Sequence, residues 1–281
     1  MLSAVLLAGS VVAVLAQQSF TGRLSDSTCA ATHQARASSS HLTDRQCLVA
    51  CINALSKYVL VDANNKVVPI ANQDAMGLPL YAGRPVRLTG EMKGDAIVVS
   101  KVEAIPAHLH IGHVMTNWRD TPGTRGFLPV AIDEARVAVL HADLAAKAST
   151  LEDIKLHAGH VLHALDPSIE AKGPGAGYGV KKATNGALQH LDFAVKAEGA
   201  TAAITSHAVQ VSASLNAALK SVDETIALAQ QIRAAADAAA AARLAGDLSS
   251  ATRKIADAEL QTALAGMNAI LEAEGLLGAP R

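Results

Sequence analysis

Aromatic side chains are nearly missing from this chain of 281 residues, with Phe, Tyr and Trp together at 2%. Any interior must therefore be built from Ala, Val, Leu and Ile, and Ala with Leu favours helix. Charge is also sparse, at 17% of residues. Twenty-four Lys and Arg are interspersed with 25 Asp and Glu, for a formal net charge of −1. That balance excludes the basic footprint which phosphate-backbone binding requires, so nucleic acid is not an expected partner. No Gly-x-Ser-x-Gly, His-Glu-x-x-His, phosphate-binding loop or paired-carboxylate signature occurs, so nothing in the sequence marks an enzyme. Cys-x-x-Cys-His is absent too, which excludes covalently attached c-type haem. What the chain does have is hydrophobic residues, at 50%, and eleven histidines. Nine of the histidines fall between His108 and His207.

The length suggests more than one folded unit. Residues 1–16 are apolar apart from Ser3, Gly9 and Ser10 and end in Val14-Leu15-Ala16 before Gln17, as a signal peptide does. They are too short for a span of about 20 residues, and no later segment of that length is continuously apolar. The expectation is a periplasmic or secreted protein with no stable membrane span after cleavage.

Residues 17–105 read as a small antiparallel β-barrel domain. Tyr58–Val61, Val67–Ile70, Val86–Thr89 and Ile97–Val102 have strand composition, separated by turn signals at Asn64-Asn65, Gly83 and Gly94-Asp95. Phe20-Thr21-Gly22-Arg23-Leu24-Ser25-Asp26-Ser27-Thr28-Cys29, Lys57–Val61, Val86–Gly90 and Ile97–Val99 resemble a small OB-like β domain of exported bacterial proteins. The resemblance implies a fold and no activity. Three cysteines sit here. In an oxidising compartment two of Cys29, Cys47 and Cys51 should pair, leaving one thiol. The alternative is a metal site made with Asp26 and His33, because Cys47 and Cys51 at i, i+4 share a helix face.

Residues 106–128, with His108, His110 and His113, read as an irregular connector. Helical periodicity then places helices at about 129–147, 150–165, 180–198 and 201–220, a four-helix bundle with Thr150 and Asp153 as a capping box. The glycine-rich stretch before residue 180 cannot stay helical. Residues 221–281 read as an extra Ala-rich helical hairpin broken near Gly246-Asp247, a possible self-association surface. The two hairpins of the bundle look duplicated: His141, Asp143, Ala145, Lys147 and Ala148 match His190, Asp192, Ala194, Lys196 and Ala197. Ile154, His157, Ala158, Val161 and Leu165 likewise match Ile204, His207, Ala208, Val211 and Leu215.

Fold class is thus α+β and multidomain. Each of His141, His157, His190 and His207 lies about eight residues, or ~12 Å, from its hairpin turn, which levels all four in one layer. Facing Asp143 and Asp192 to water turns His141 and His190 inward. Buried imidazoles without partners are costly, and a metal satisfies them. The expectation is a transition metal, Zn, Cu, Ni or Fe, held by His141, His157, His190 and His207 with His160 as an added ligand. His163 is placed on the surface. A b-type haem with two histidine ligands, serving electron transfer, is the alternative cofactor, and a ligand-free structural or interaction protein is the third reading.

Overall fold

The structure, a computed structural model, describes residues 17–32 and 44–276. The expected signal peptide and His33 lie outside the described residues. The chain divides into two compact units, Met1–Ala104 and Ile105–Arg281.

In the first unit, strands β1 (Gln18–Asp26), β2 (Tyr58–Val61), β3 (Val67–Pro69), β4 (Pro85–Lys93) and β5 (Ala96–Glu103) form one antiparallel sheet in the order β3-β2-β1-β4-β5. Helix α1 (Asp44–Asn53) precedes β2. The strands alternate as their sequence does: Val86, Leu88, Ile97 and Val99 are buried, joined by Leu24, Leu48 from α1, and Leu60. A side chain on Gly90 would collide with the Val98 carbonyl, and here the β4–β5 register shifts. A closed barrel or sandwich was expected, but the sheet is open. Its far edges meet only at one parallel bridge, Ile70 with Ile97, beside which Asn72 brackets the backbone of Val99. β3, at three residues, pairs along its length with β2 and forms no ladder with β5.

The second unit is helical: α2 (Pro106–Met115), α3 (Phe127–Lys147), α4 (Leu151–Leu165), α5 (Val180–Lys196), α6 (Ala202–Ala234), α7 (Ala238–Arg253) and α8 (Leu260–Ala273). A π-helical turn, Lys254–Glu259, joins the last two. Thr150 caps α4 by accepting from the Asp153 N–H at 3.1 Å, as its sequence pattern requires. Ala135, Ala138, Ala142 and Ala145 repeat at i, i+3, i+7 and i+10 and are all buried, so α3 presents a flat stripe. It packs against α4, α5 and α7; α5 also packs on α2 and α6, and α6 on α4, α7 and α8.

Three segment boundaries differ from those expected. The connector contains α2, which begins at Pro106, where proline's missing N–H costs nothing. α6 runs straight through residues 220 and 221, because Ser221 is no cap: its hydroxyl donates to Glu259 at 2.8 Å, and Thr225 bonds the Ser221 carbonyl. Gly246 stays inside α7, held by buried Ala245 and Leu248, and the chain breaks instead before Asp237, which caps α7 through the Ala240 N–H at 2.8 Å. No helix among the described residues is long and apolar enough to cross a membrane.

Candidate metal sites

The histidines do not make one layer of four. They form two separate groups of three, and a third group of three is made by the cysteines; in each group the donor atoms all lie within 4.8 Å of one another, so each could hold a metal ion. In the first group Nδ1 of His141, on α3, lies 3.1 Å from Nδ1 of His157 and 3.2 Å from Nδ1 of His160, both on α4. In the second, Nδ1 of His190, on α5, lies 3.1 Å from Nδ1 of His110 and 3.2 Å from Nδ1 of His113, both on α2.

The pairing of His141 with His157 and the participation of His160 follow the sequence reading, but His190 and His207 do not meet. His207 is half-buried on α6 and lines a different depression with Gln210, Asp257 and Gln261. The layer fails because the helix interfaces are already filled. Ala142, Ala158, Leu191 and Ala208, each following one of the four histidines, are buried, so the rings sit about 100° off the core stripe. The orientation argument also rested on Asp143 facing water. In fact α7 packs there, and Asp143 accepts from Ser249 at 2.6 Å and from Arg253. Asp192 behaves as expected, paired with Lys196 at 2.7 Å.

The two histidine groups are built alike. Each takes an i, i+3 pair from one helix and a single histidine from the helix it packs against. Their sequences explain this: Leu109-His110-Ile111-Gly112-His113-Val114 and Leu156-His157-Ala158-Gly159-His160-Val161 differ only at the third position. This match sets α2–α3 against α4–α5 as the two copies, where the sequence reading set α3–α4 against α5–α6. The sites are crossed, since the paired histidines of one copy meet the single histidine of the other. This six-residue repeat was the signal that sequence reasoning missed. It placed His110 and His113 in a solvated connector and matched His157 to His207, whose own neighbour Gln210 stands where His160 does.

The surroundings differ. Few aromatic rings exist, yet Trp118, Phe127 and Phe193 gather around the His190 group. Phe127 stacks on His190 at 5.4 Å between centroids, Trp118 lies 4.7 Å from it, and Phe193 sits 5.3 Å from His110. The His141 group opens instead beside a depression of about 590 Å³ lined by Lys155, Gly159, His160, Lys172 and Arg233. Burial, then the neighbouring histidines, lowers His141 and His190 to about 4. Burial also lowers His110, His113 and His160. Neutral imidazoles with in-plane lone pairs are what a metal needs. Without one, the Nδ1 of His141 or His190 faces two partners but carries either one proton or one lone pair, so it satisfies only one of them.

His163 and His108, outside both groups, have structural partners. His163 is buried, correcting its surface assignment, with Nδ1 2.8 Å from the Glu170 carbonyl. Buried His108 lies 2.8 Å from a Glu274 carboxylate oxygen, tying α2 to the end of α8. Glu134 is also buried and accepts the Tyr178 N–H at 2.8 Å, at the entry to α5.

Cys47 and Cys51 share the buried face of α1, and Cys29 lies in the turn after β1. The expected disulfide is not made. Sγ of Cys29 is 3.8 Å from Sγ of both Cys47 and Cys51, against about 2.05 Å for a bonded pair. Burial, then the Cys51 and Cys47 thiols and the charge of Asp26, pushes the Cys29 thiol up to about 12.

Comparison with family models finds no match for this chain. Comparisons with curated proteins and with solved structures find none either.

Proposed function

We propose that this chain is an exported metal-binding protein that holds two transition-metal ions, one at His141, His157 and His160 and one at His110, His113 and His190. The observation that carries this reading is the Nδ1 spacing, 3.1 and 3.2 Å, the same at both groups. A metal bonded to imidazole nitrogen at about 2.0–2.1 Å puts adjacent ligand atoms about 2.9 Å apart at right angles and about 3.3 Å apart in a tetrahedron. The measured edges fall between these. Hydrogen bonding alone gives no reason for three nitrogens to converge twice.

The same spacing argues for a bare ion rather than haem. Two imidazoles on opposite faces of a haem iron have their nitrogens about 4 Å apart with the macrocycle between them. Three histidines per ion leave a coordination position open, the arrangement of metal sites that exchange a ligand rather than of closed structural ones. The reading takes α3 to α6 as a four-helix bundle and the sheet as OB-like, supported for the sheet by the contact between its edges at Ile70 and Ile97.

Elemental analysis of the full chain, after incubation with Zn(II), Cu(II), Ni(II) or Fe(II) singly and gel filtration, tests this. About two histidine-dependent equivalents of the preferred ion are expected, lost in a His141→Ala, His190→Ala double variant. Retention of both equivalents in that variant, or a Soret band with stoichiometric iron in protein from its host, would overturn the reading.

A further inference from the structure

We propose that Cys29, Cys47 and Cys51 form a tri-thiolate site for a thiophilic d10 cation, Zn(II) or Cu(I), distinct from the two histidine sites. Zinc bonded to sulfur at about 2.3 Å sets the tetrahedral S···S edge at about 3.8 Å. Both edges measured from Cys29 are 3.8 Å. Cys29 is equidistant from two sulfurs, so pairing it with one in a disulfide would strand the other. A cation accommodates all three.

The scaffold is arranged to hold this geometry. Oδ1 of Asp26 accepts the N–H groups of Thr28 and Cys29, both at 2.9 Å, which fixes the turn that carries Cys29. Ser25 closes that turn by donating to the Ala30 carbonyl at 2.6 Å. Cys47 and Cys51 stand one helical turn apart on α1, and Leu48 of that helix is fully buried in the core of the sheet. A second observation points to a ligand. Asp26 is itself fully buried, and its Oδ2 has no hydrogen-bond partner among the described residues. A buried carboxylate with an unsatisfied oxygen, bonded to the turn that carries Cys29, is costly unless positive charge lies close by.

Binding is a proton-for-metal exchange. Three S–H bonds break, three metal–sulfur bonds form, and the protons pass to solvent, with no change in the oxidation state of sulfur or metal. Soft thiolates select Zn(II) and Cu(I) over the harder divalent ions.

The test uses the full chain, reduced and metal-free, titrated separately with Co(II), as a spectroscopic stand-in for Zn(II), and with Cu(I) under exclusion of oxygen. The expected results are a sulfur-to-cobalt charge-transfer band saturating at one equivalent, or one equivalent of Cu(I) retained against a chromogenic chelator. Cys29→Ser should lose that equivalent, whereas His141→Ala with His190→Ala should keep it, which separates this site from the histidine sites. Since replacing a sulfur could also disturb the fold, the His141→Ala, His190→Ala chain, with all three sulfurs in place, supplies a second measurement: alkylation of Cys29, Cys47 and Cys51 should slow at least tenfold with one equivalent of Zn(II). No sulfur–metal signal with either ion, an unchanged equivalent in Cys29→Ser, or a Cys29 disulfide that persists in the metal-loaded protein would overturn the proposal.

Discussion

The crossed arrangement of the histidine groups makes a sharp mutational prediction. His141→Ala removes the one ligand that α3 gives to the α4 pair, and should abolish one equivalent of metal while leaving the His190 site loaded. The magnitude follows from linkage: an ion held at about 100 times its dissociation constant stabilises the folded state by about 2.7 kcal/mol. In a helical unit spanning Ile105–Arg281, 1 kcal/mol moves the melting temperature by roughly 2–4 °C. Each occupied site therefore adds about 5–11 °C over the metal-free protein. His141 is half-buried, so its truncation alone should cost the metal-free protein little, within about 1 kcal/mol. Calorimetry with metal and with chelator should then show wild type gaining about twice the shift of His141→Ala, with His190→Ala matching His141→Ala. His207→Ala should behave as wild type. Equal metal-induced shifts in wild type and His141→Ala, or loss of both equivalents from either single variant, would refute the assignment of two independent three-histidine sites.

Other consequences are as direct. The folded-state values of His141 and His190 lie below their ordinary value of 6.5, at about 4, so the unfolded chain binds protons first; metal-free stability should be complete above about pH 6.5 and fall as pH drops toward 4, as measured by urea unfolding across that range. A side chain added at Gly112 would meet only the Thr116 hydroxyl, at 3.4 Å, so Gly112→Ala should stabilise α2 by about 0.5–1 kcal/mol with unaltered metal content, checked by the unfolding midpoint and elemental analysis. At Gly186 a methyl would collide with the Phe127 ring that stacks on His190; Gly186→Ala should cost about 1–3 kcal/mol by overpacking and weaken metal at the His190 site in preference to the His141 site, read by titration of each single-site variant.

How far these features could be read from the chain depends on how local their causes are. Helices α3, α4 and α5 were legible because Ala stripes, the Thr150 cap and the glycine-rich stretch before Val180 act within a few residues. Strands β4 and β5 were legible from their alternation and β2 from its apolar run, whereas β1, nine residues long, entered only through the resemblance carried by Phe20–Cys29. Sheet closure was not, because it depends on how the short β3 meets β5 across the unit, and no pattern within either strand records that. In the candidate site, the His141–His157 contact was legible from turn geometry alone, since α3 and α4 are joined by a short turn and must run antiparallel. The partners of His190 lie on α2, about 80 residues earlier, brought there by the packing of α2 against α5 rather than by a turn. An outward face for Asp143 was assumed from its spacing to Lys147, and the arrival of α7 with Arg253 cancelled it.

The crossing itself has a physical consequence. A single copy of the repeat, α2 with α3 or α4 with α5, contains all three histidine types but cannot bring them to one point, because its pair and its single histidine face different partners. Either site exists only once both copies have docked, so the free energy of binding an ion is also free energy holding α2 on α5 and α3 on α4. The helices that meet there bury small residues: Ala107, Ala187 and Ala194 on α2 and α5, and Ala138, Ala145 and Ala158 on α3 and α4. Alanine buries little area, roughly one methyl and so about 1 kcal/mol or less per side chain. On the proposed reading, an ion at each seam would supply what such interfaces lack. If that holds, chelation should loosen α2 and α4 before the rest of the helical unit, visible as faster amide exchange in Pro106–Met115 and Leu151–Leu165 while α6 stays protected. Uniform exchange along the unit, with or without chelator, would show that the Ala stripes suffice and that the ions contribute nothing to the docking.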